Sequence, residues 1–245
     1  MRVHVPDPDY SSSGRAKANF LLAVKLTLGF LAVMWAVFVI DQLFNLELIR
    51  FGLRPREGAG LLGLITTPLL HFNLAHILSN SFPLLVGGTV MLFLYPNAAL
   101  RALPILIIGT GAIAWAFARP NVHIGASGLV YGILAFVFVS GILRRDLRSI
   151  GAALMIWFLY GSMIWGVLPA GRSMSWELHL SGFMLGIVLA AVFRSWDIPP
   201  LKRYEWEDEQ QESAEDFDDW RQGNWKMEGD ESRSPRERQD EEWRK

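Results

Sequence analysis

Long apolar runs, broken by short charged or glycine-rich stretches, fill most of the chain up to about residue 198. Six of them, at about 19–42, 75–95, 100–118, 126–143, 149–168 and 178–195, reach the roughly 17–25 residues a helix needs to cross a bilayer. Charged residues punctuate the later ones: Arg101, Arg119, the run Arg144-Arg145-Asp146-Leu-Arg148, Arg172 and Arg194. No strict apolar–polar alternation runs through them, so they read as helices, which satisfy their own backbone hydrogen bonds in lipid. The first run follows Arg15 and Lys17, exceeds a signal-peptide core in length and precedes no small-x-small cleavage site, which predicts a retained first span. The pattern predicts an all-α, polytopic membrane protein with a six-transmembrane-helix bundle at 18–198. A polar segment, 1–17, precedes it, and a disordered acidic C-terminal tail, 199–245, follows.

Counting Lys and Arg near the span ends predicts the orientation. With the N-terminus inside, Arg2, Arg15, Lys17, Arg101, Arg144, Arg145, Arg148, Arg194, Lys202 and Arg203 fall inside. Arg50, Arg54, Arg56, Arg119 and Arg172 fall outside. Ten against five predicts cytoplasmic N- and C-termini, as an even number of spans requires. Lys25, inside the first span, can snorkel to the inner surface. The connection from about Leu43 to Leu70 is only partly polar and predicts a structured loop at the outer interface.

Composition sharpens this picture in two places. The net charge of −1 conceals an asymmetry: residues 201–245 hold 16 acidic and 9 basic side chains, a net −7, against +6 for the remainder. Aromatics (Trp206, Phe217, Trp220, Trp225 and Trp243) punctuate that tail, either as scattered solvated side chains or as anchors for a partner or the bilayer surface. There is no cysteine, which excludes disulfides, zinc–thiolate sites, iron–sulfur clusters and a thiol nucleophile. The basic residues form no stripe, so nucleic acid is not an expected partner.

Against this apolar background a few polar signatures stand out, because ionisable groups inside a membrane are costly. They are His71-Phe-Asn-Leu-Ala-His76-Ile-Leu-Ser-Asn80, Gly125-Ala-Ser127-Gly128, Tyr131, and His179-Leu-Ser-Gly182-Phe-Met-Leu-Gly186. Ser127 lies 17 residues before Arg144, His179 15 before Arg194, and Asn80 16 before Pro96. At about 1.5 Å per helical residue, they rise roughly 26, 23 and 24 Å above the inner ends of their spans. All three therefore fall in one layer, just below the outer edge of a hydrocarbon core about 30 Å thick.

Each signature alone has a plain structural reading. Gly-x-Ser-Gly is a common helix-packing sequence in membranes. His179 can be a hydrogen-bonded structural histidine, and Tyr131 an ordinary core tyrosine. Together they supply a serine, an imidazole that can take its proton, and glycines that let two helices approach: Gly128 and Gly132 on one face, Gly182 and Gly186 on the other. Tyr131, one turn below Ser127, can pack on the imidazole. His76 and Asn80 share a helical face and can both donate to a developing oxyanion, alongside the Ser127 amide. His71, just before that helix, is expected to brace the loop. Glu177 points away from His179 on a helix and is not expected as a third triad member. His123 stays unassigned. No HExxH, Cys or acidic residue sits at ligand spacing in the spans, so neither a metal nor another cofactor is expected.

These residues resemble the rhomboid family of intramembrane serine proteases over about residues 45–195. The resemblance rests on HxxxxHxxxN at His71, His76 and Asn80, GxSG at Gly125 to Gly128 with Tyr131, and HxxGxxxG at His179, Gly182 and Gly186. It implies a six-helix core, Ser127 as nucleophile and His179 as base with no acidic third member, and His76 and Asn80 in the oxyanion hole. Some bacterial members carry a Trp-Arg pair in the first outer loop, where this chain has no Trp and offers Gly52-Leu-Arg-Pro-Arg56.

The expected activity is hydrolysis of a peptide bond in or next to the transmembrane segment of a membrane-protein substrate. The expected location is a bacterial plasma membrane, with the site opening to the extracytoplasmic side. The loop from about Pro169 to Trp176 is a candidate lid, and the family analogy gives the fifth span a gating movement. The lipid bilayer and transmembrane substrates are the expected partners; the sequence fixes no oligomeric state. Two rivals are a non-catalytic membrane chaperone or scaffold, disfavoured by the intact Ser127 and His179, and a small transporter, disfavoured by the lack of an internal repeat.

Overall fold

The computed structural model describes residues 13–169, 174–200 and 221. Residues 1–12 of the polar N-terminal segment, the middle of the candidate lid and the acidic tail from residue 201 (Arg221 apart) lie outside the described residues. The chain divides into two units, residues 1–202 and 203–245; the first holds nearly all the described residues.

Among its described residues are six long helices: α1 (Gly14–Phe44), α2 (Leu74–Leu94), α3 (Pro96–Phe117), α4 (Ser127–Arg144), α5 (Leu147–Tyr160) and α6 (Trp176–Val192). Among the described residues there is no strand, only an isolated antiparallel bridge between Leu53 and His123. Helices α1 to α4 are long and apolar enough to cross a membrane, as is α5 together with the 3-10 turn Gly161–Val167 that extends it. Helix α6 is equally apolar but has 17 residues, which spans about 26 Å. Large apolar side chains point outward from these helices, among them Phe82 and Phe158 at 72% and 88% exposure. Such a surface belongs in lipid rather than water, and the molecule is an integral membrane protein.

Helix ends follow local caps more than hydropathy. Ser13 caps α1 by accepting from the Ala16 amide at 3.1 Å, which starts that helix five residues before the apolar run. Helix α3 starts at Pro96, whose missing N–H costs nothing at a first turn. Its next amides, on Asn97 and Ala98, donate to the Asp197 carboxylate from beyond α6. Asp146 caps α5 through the Ser149 amide at 3.0 Å.

Helix α4 is the centre of the bundle, and two thirds of it is buried. It packs most extensively on α6, and also on α5 and α2. The α4–α6 contact is glycine-lined: a Cβ on Gly182 would strike the Gly128 carbonyl, and one on Gly186 the Gly132 carbonyl. Backbone thus meets backbone, as in small-xxx-small helix pairs. Helix α1 covers α2 with one stripe, Ala23, Thr27, Leu31, Met34, Phe38 and Asp41, at three- and four-residue spacing.

The α1–α2 connection is a chain of short turns, Leu48–Phe51, Gly58–Leu62, Gly63–Thr66 and Thr67–Leu69. Thr67 Oγ1 accepts from the Leu53 amide at 3.1 Å and donates to the His123 carbonyl at 3.3 Å. Trp115 Nε1 donates to the Glu57 carbonyl at 3.0 Å. The connection is therefore seated on the α3–α4 end of the bundle rather than free in solvent.

Candidate active site

Ser127 is the first residue of α4, and the chain reaches it through Gly125 at φ +109°. That is a left-handed backbone which a side chain would strain. A Cβ on Gly125 would also stand 2.5 Å from His76 Nε2 and 3.6 Å from Asn80 Nδ2. Ala126 gives α4 no side-chain cap, so the helix begins with amides that no helix carbonyl engages.

His179, buried one turn into α6, brings Nε2 to 2.8 Å from Ser127 Oγ. Its other nitrogen, Nδ1, is 2.9 Å from the Gly166 carbonyl, which can only accept. The Nδ1–H therefore donates to Gly166, and Nε2 is left with its lone pair toward the serine hydroxyl. Tyr131 stacks on the imidazole with ring centroids 4.3 Å apart and an 11° tilt, while its hydroxyl donates to the Met163 carbonyl at 2.7 Å. Both carbonyls lie in the 3-10 turn that continues α5. That segment holds the imidazole directly on one edge, through Gly166, and anchors the tyrosine of α4 that covers one face; no side chain in the sequence signals this role.

Asn80, buried in the second turn of α2, donates from Nδ2 to His71 Nε2 at 3.1 Å. The Ala126 amide approaches the same nitrogen at 3.4 Å, and His71 Nδ1 lies 3.4 Å from the Leu69 carbonyl. That pattern fits a neutral ring donating from Nδ1 and accepting at Nε2. Burial, and next to it the charge of a protonated His76, push the His71 pKa down from 6.5 to about 4. His71 thus joins the Asn80–Ala126 cluster beside Ser127, besides touching its own loop. The His76 ring stands edge-on to His71, centroids 5.0 Å apart, against Gly125. Asn73 caps α2 through the His76 amide at 2.9 Å, which fixes where His76 and Asn80 project.

Two other polar residues do not enter this cluster. Glu177 turns away from His179 and pairs with Arg119. His123 donates from Nε2 to the Arg119 carbonyl at 2.9 Å, and its Nδ1 meets Ser175 Oγ. Among the described residues no three His, Asp or Glu side chains are grouped as metal ligands. The candidate lid, 169–176, is described only at its two ends.

Comparison with known proteins adds a family to this geometry. A family model described as the Rhomboid domain matches residues 59–196, a stretch that holds every polar residue of the cluster. An uncharacterized protein of Mycobacterium tuberculosis and one of Mycobacterium bovis are each 38% identical to this chain over 172 residues, covering 66% of it and 72% of their own length. An uncharacterized protein of Mycobacterium leprae is 35% identical over 173 residues, covering 66% of this chain and 68% of its own.

Proposed function

The chain belongs to the rhomboid family, and on that premise we propose that it is an intramembrane serine endopeptidase. Its substrates are membrane proteins, cut in or next to a transmembrane segment. The 2.8 Å approach of Ser127 Oγ to His179 Nε2 is the observation that carries this reading. The membrane domain is taken as 18–198 with α6 as a sixth, short crossing, both termini cytoplasmic. The site then opens to the extracytoplasmic side of a bacterial plasma membrane.

In the proposed reaction Ser127 Oγ attacks the scissile carbonyl carbon while its proton passes to His179 Nε2. The Gly166 carbonyl, at the far side of the ring, holds the Nδ1 proton in place and so keeps Nε2 basic toward serine. It fills the place an acidic residue takes in other serine enzymes, and it stabilises the imidazolium without a buried carboxylate. The tetrahedral oxyanion is received by His76, Asn80 and the Ser127 amide. Each such donor contributes on the order of 10²-fold in rate where water is scarce. His71 orients Asn80 by accepting one of its amide hydrogens, leaving the second for substrate. Collapse breaks the C–N bond, the imidazolium proton goes to the leaving amine, and a water then hydrolyses the acyl-enzyme by the reverse proton path.

A substrate helix must enter laterally and unwind, because an intact helix shields its carbonyls. Small residues near the cut and helix-weakening residues below it are the preferred sequence. The test is cleavage of a reporter transmembrane substrate by Ser127→Ala protein. Cleavage disappears while the helix content and detergent elution of the variant match the wild type. Undiminished cleavage by the variant contradicts the assignment.

A further inference from the structure

The glycine-lined α4–α6 contact brings two backbones close through Gly128, Gly132, Gly182 and Gly186. Yet proton transfer from Ser127 to His179 tolerates only hydrogen-bond distances, up to about 3.0 Å between the two heavy atoms. The ends of the two helices where those residues sit must therefore be held in register to that tolerance.

The two segments that lead into α4 and α6 are joined by side chains. Arg119, in the α3–α4 loop, takes hold of Glu177 in the first turn of α6. Its Nε bonds Oε1, its Nη2 donates to Oε2 at 3.1 Å, and its backbone amide donates to Oε1 at 3.3 Å. The same Nη2 donates to the Met174 carbonyl at 2.9 Å. Glu177 is 1% exposed while the Arg119 side chain keeps 33% of its surface open, so this is a half-buried, bidentate pair with a buried carboxylate and a partly solvated guanidinium. Four residues on in the same loop, His123 meets Ser175 Oγ and also donates back to the Arg119 carbonyl. Ser175 stands at the N-cap of α6 but makes no side-chain cap there. A residue type favoured for helix capping is turned instead toward the loop. His123 is itself held by the bridge to Leu53, so the loop is anchored before it grips α6.

We propose that Arg119–Glu177 and His123–Ser175 form a two-point clamp that sets the separation of Ser127 and His179. All four are positioning residues; none touches the reacting atoms. The inference rests on the serine–histidine reading above and names the residues that keep that dyad in register. Ser127 lies four residues after His123, and His179 two after Glu177, so a shift at either clamp point passes almost directly to the dyad. Displacements near 1 Å in such a site cost up to roughly 100-fold in rate.

Full-length protein in detergent carries the test, with three readouts: acylation of Ser127 by a fluorophosphonate, kcat and KM on a reporter transmembrane substrate, and thermal unfolding. Arg119→Met and Glu177→Gln each lower kcat and acylation of the folded protein roughly 10- to 100-fold, with KM within about twofold. The double variant is no worse than the worse single one, because removing both partners leaves no unpaired buried charge. Arg119→Lys, which keeps the charge, recovers part of the loss. Ser175→Ala, which removes the His123 contact but no helix cap, lowers kcat of the folded protein severalfold while moving the unfolding temperature by only a few degrees. Variants that fold and react like the wild type, or losses that track only the folded fraction, overturn the clamp. Wild type that is not acylated at Ser127 overturns the dyad and the clamp together. Wild type acylated beside variants acylated equally fast overturns the clamp alone.

Discussion

The hydroxyl of Ser127 is an ordinary alcohol, and the chemistry proposed for it depends on the imidazole 2.8 Å away. Its neighbours are all set for a neutral histidine pair. His179 gives one nitrogen to Gly166 and keeps the other for serine, and His71 keeps its Nε2 for Asn80 and the Ala126 amide. A consequence for His71 follows by linkage. Its folded pKa, about 4, lies below the free value of 6.5, so below pH 6.5 the unfolded chain binds a proton that the folded chain refuses. The stability this contributes is fully present above pH 6.5 and is lost as the pH falls toward 4. The loss over that window is on the order of 3 kcal/mol. Measured as unfolding free energy against pH, wild type shows this decline, while His71→Gln, which keeps an acceptor for Asn80, lacks that part of it. Parallel curves would show that His71 titrates like a free imidazole. The spacing of His76 and Asn80 along one helix was readable in advance because four residues define a shared face. The carbonyls of Gly166 and Met163 were not, since a backbone acceptor leaves no trace in residue identity. Nor was the Arg119–Glu177 pair, whose partners are 58 residues apart with no periodicity to link them.

At the scale of elements, each apolar run coincides with a long helix among the described residues, because stretches of about 17 or more mostly apolar residues admit little else in lipid. Their ends were less legible. Helix α3 starts four residues before the apolar run because Pro96 opens it and a carboxylate 100 residues away receives its amides. Helix α5 tightens to a 3-10 turn at Gly161, which a hydropathy pattern cannot distinguish from continued α-helix. The glycine pairs that suggested α4–α6 packing lie in that contact, and their dimensions yield a second prediction. A single methyl on Gly182 has no room beside the Gly128 carbonyl. Gly182→Ala should cost about 1–3 kcal/mol of stability through overpacking. By parting α4 from α6 it should also reduce cleavage by the folded protein roughly 100-fold. Unfolding curves together with turnover corrected for folded protein check both numbers; unchanged turnover would show that α4 and α6 can separate without disturbing the dyad.

Across the whole molecule, the two ends of the bundle do different work. At the end opposite the site, Asp197 ties the chain after α6 to the start of α3, and Arg144 donates to the Phe193 carbonyl at 3.0 Å while lying over the Tyr95 ring. At the site end, the α1–α2 connection, the α3–α4 loop and the start of α6 are linked through Leu53, Thr67, His123 and Arg119. In the proposed orientation the first end faces the cytoplasm, which matches its larger share of arginine and lysine. In that orientation the site end faces outward, where water for the proposed second half-reaction is at hand. The measurement that bears most directly on this account is fluorophosphonate modification of the intact protein followed by peptide mass analysis. The account predicts one adduct, on Ser127, lost in Ser127→Ala and reduced at least roughly 10³-fold in rate in His179→Ala. An adduct elsewhere, or modification of Ser127 that proceeds equally well without the His179 imidazole, would contradict it.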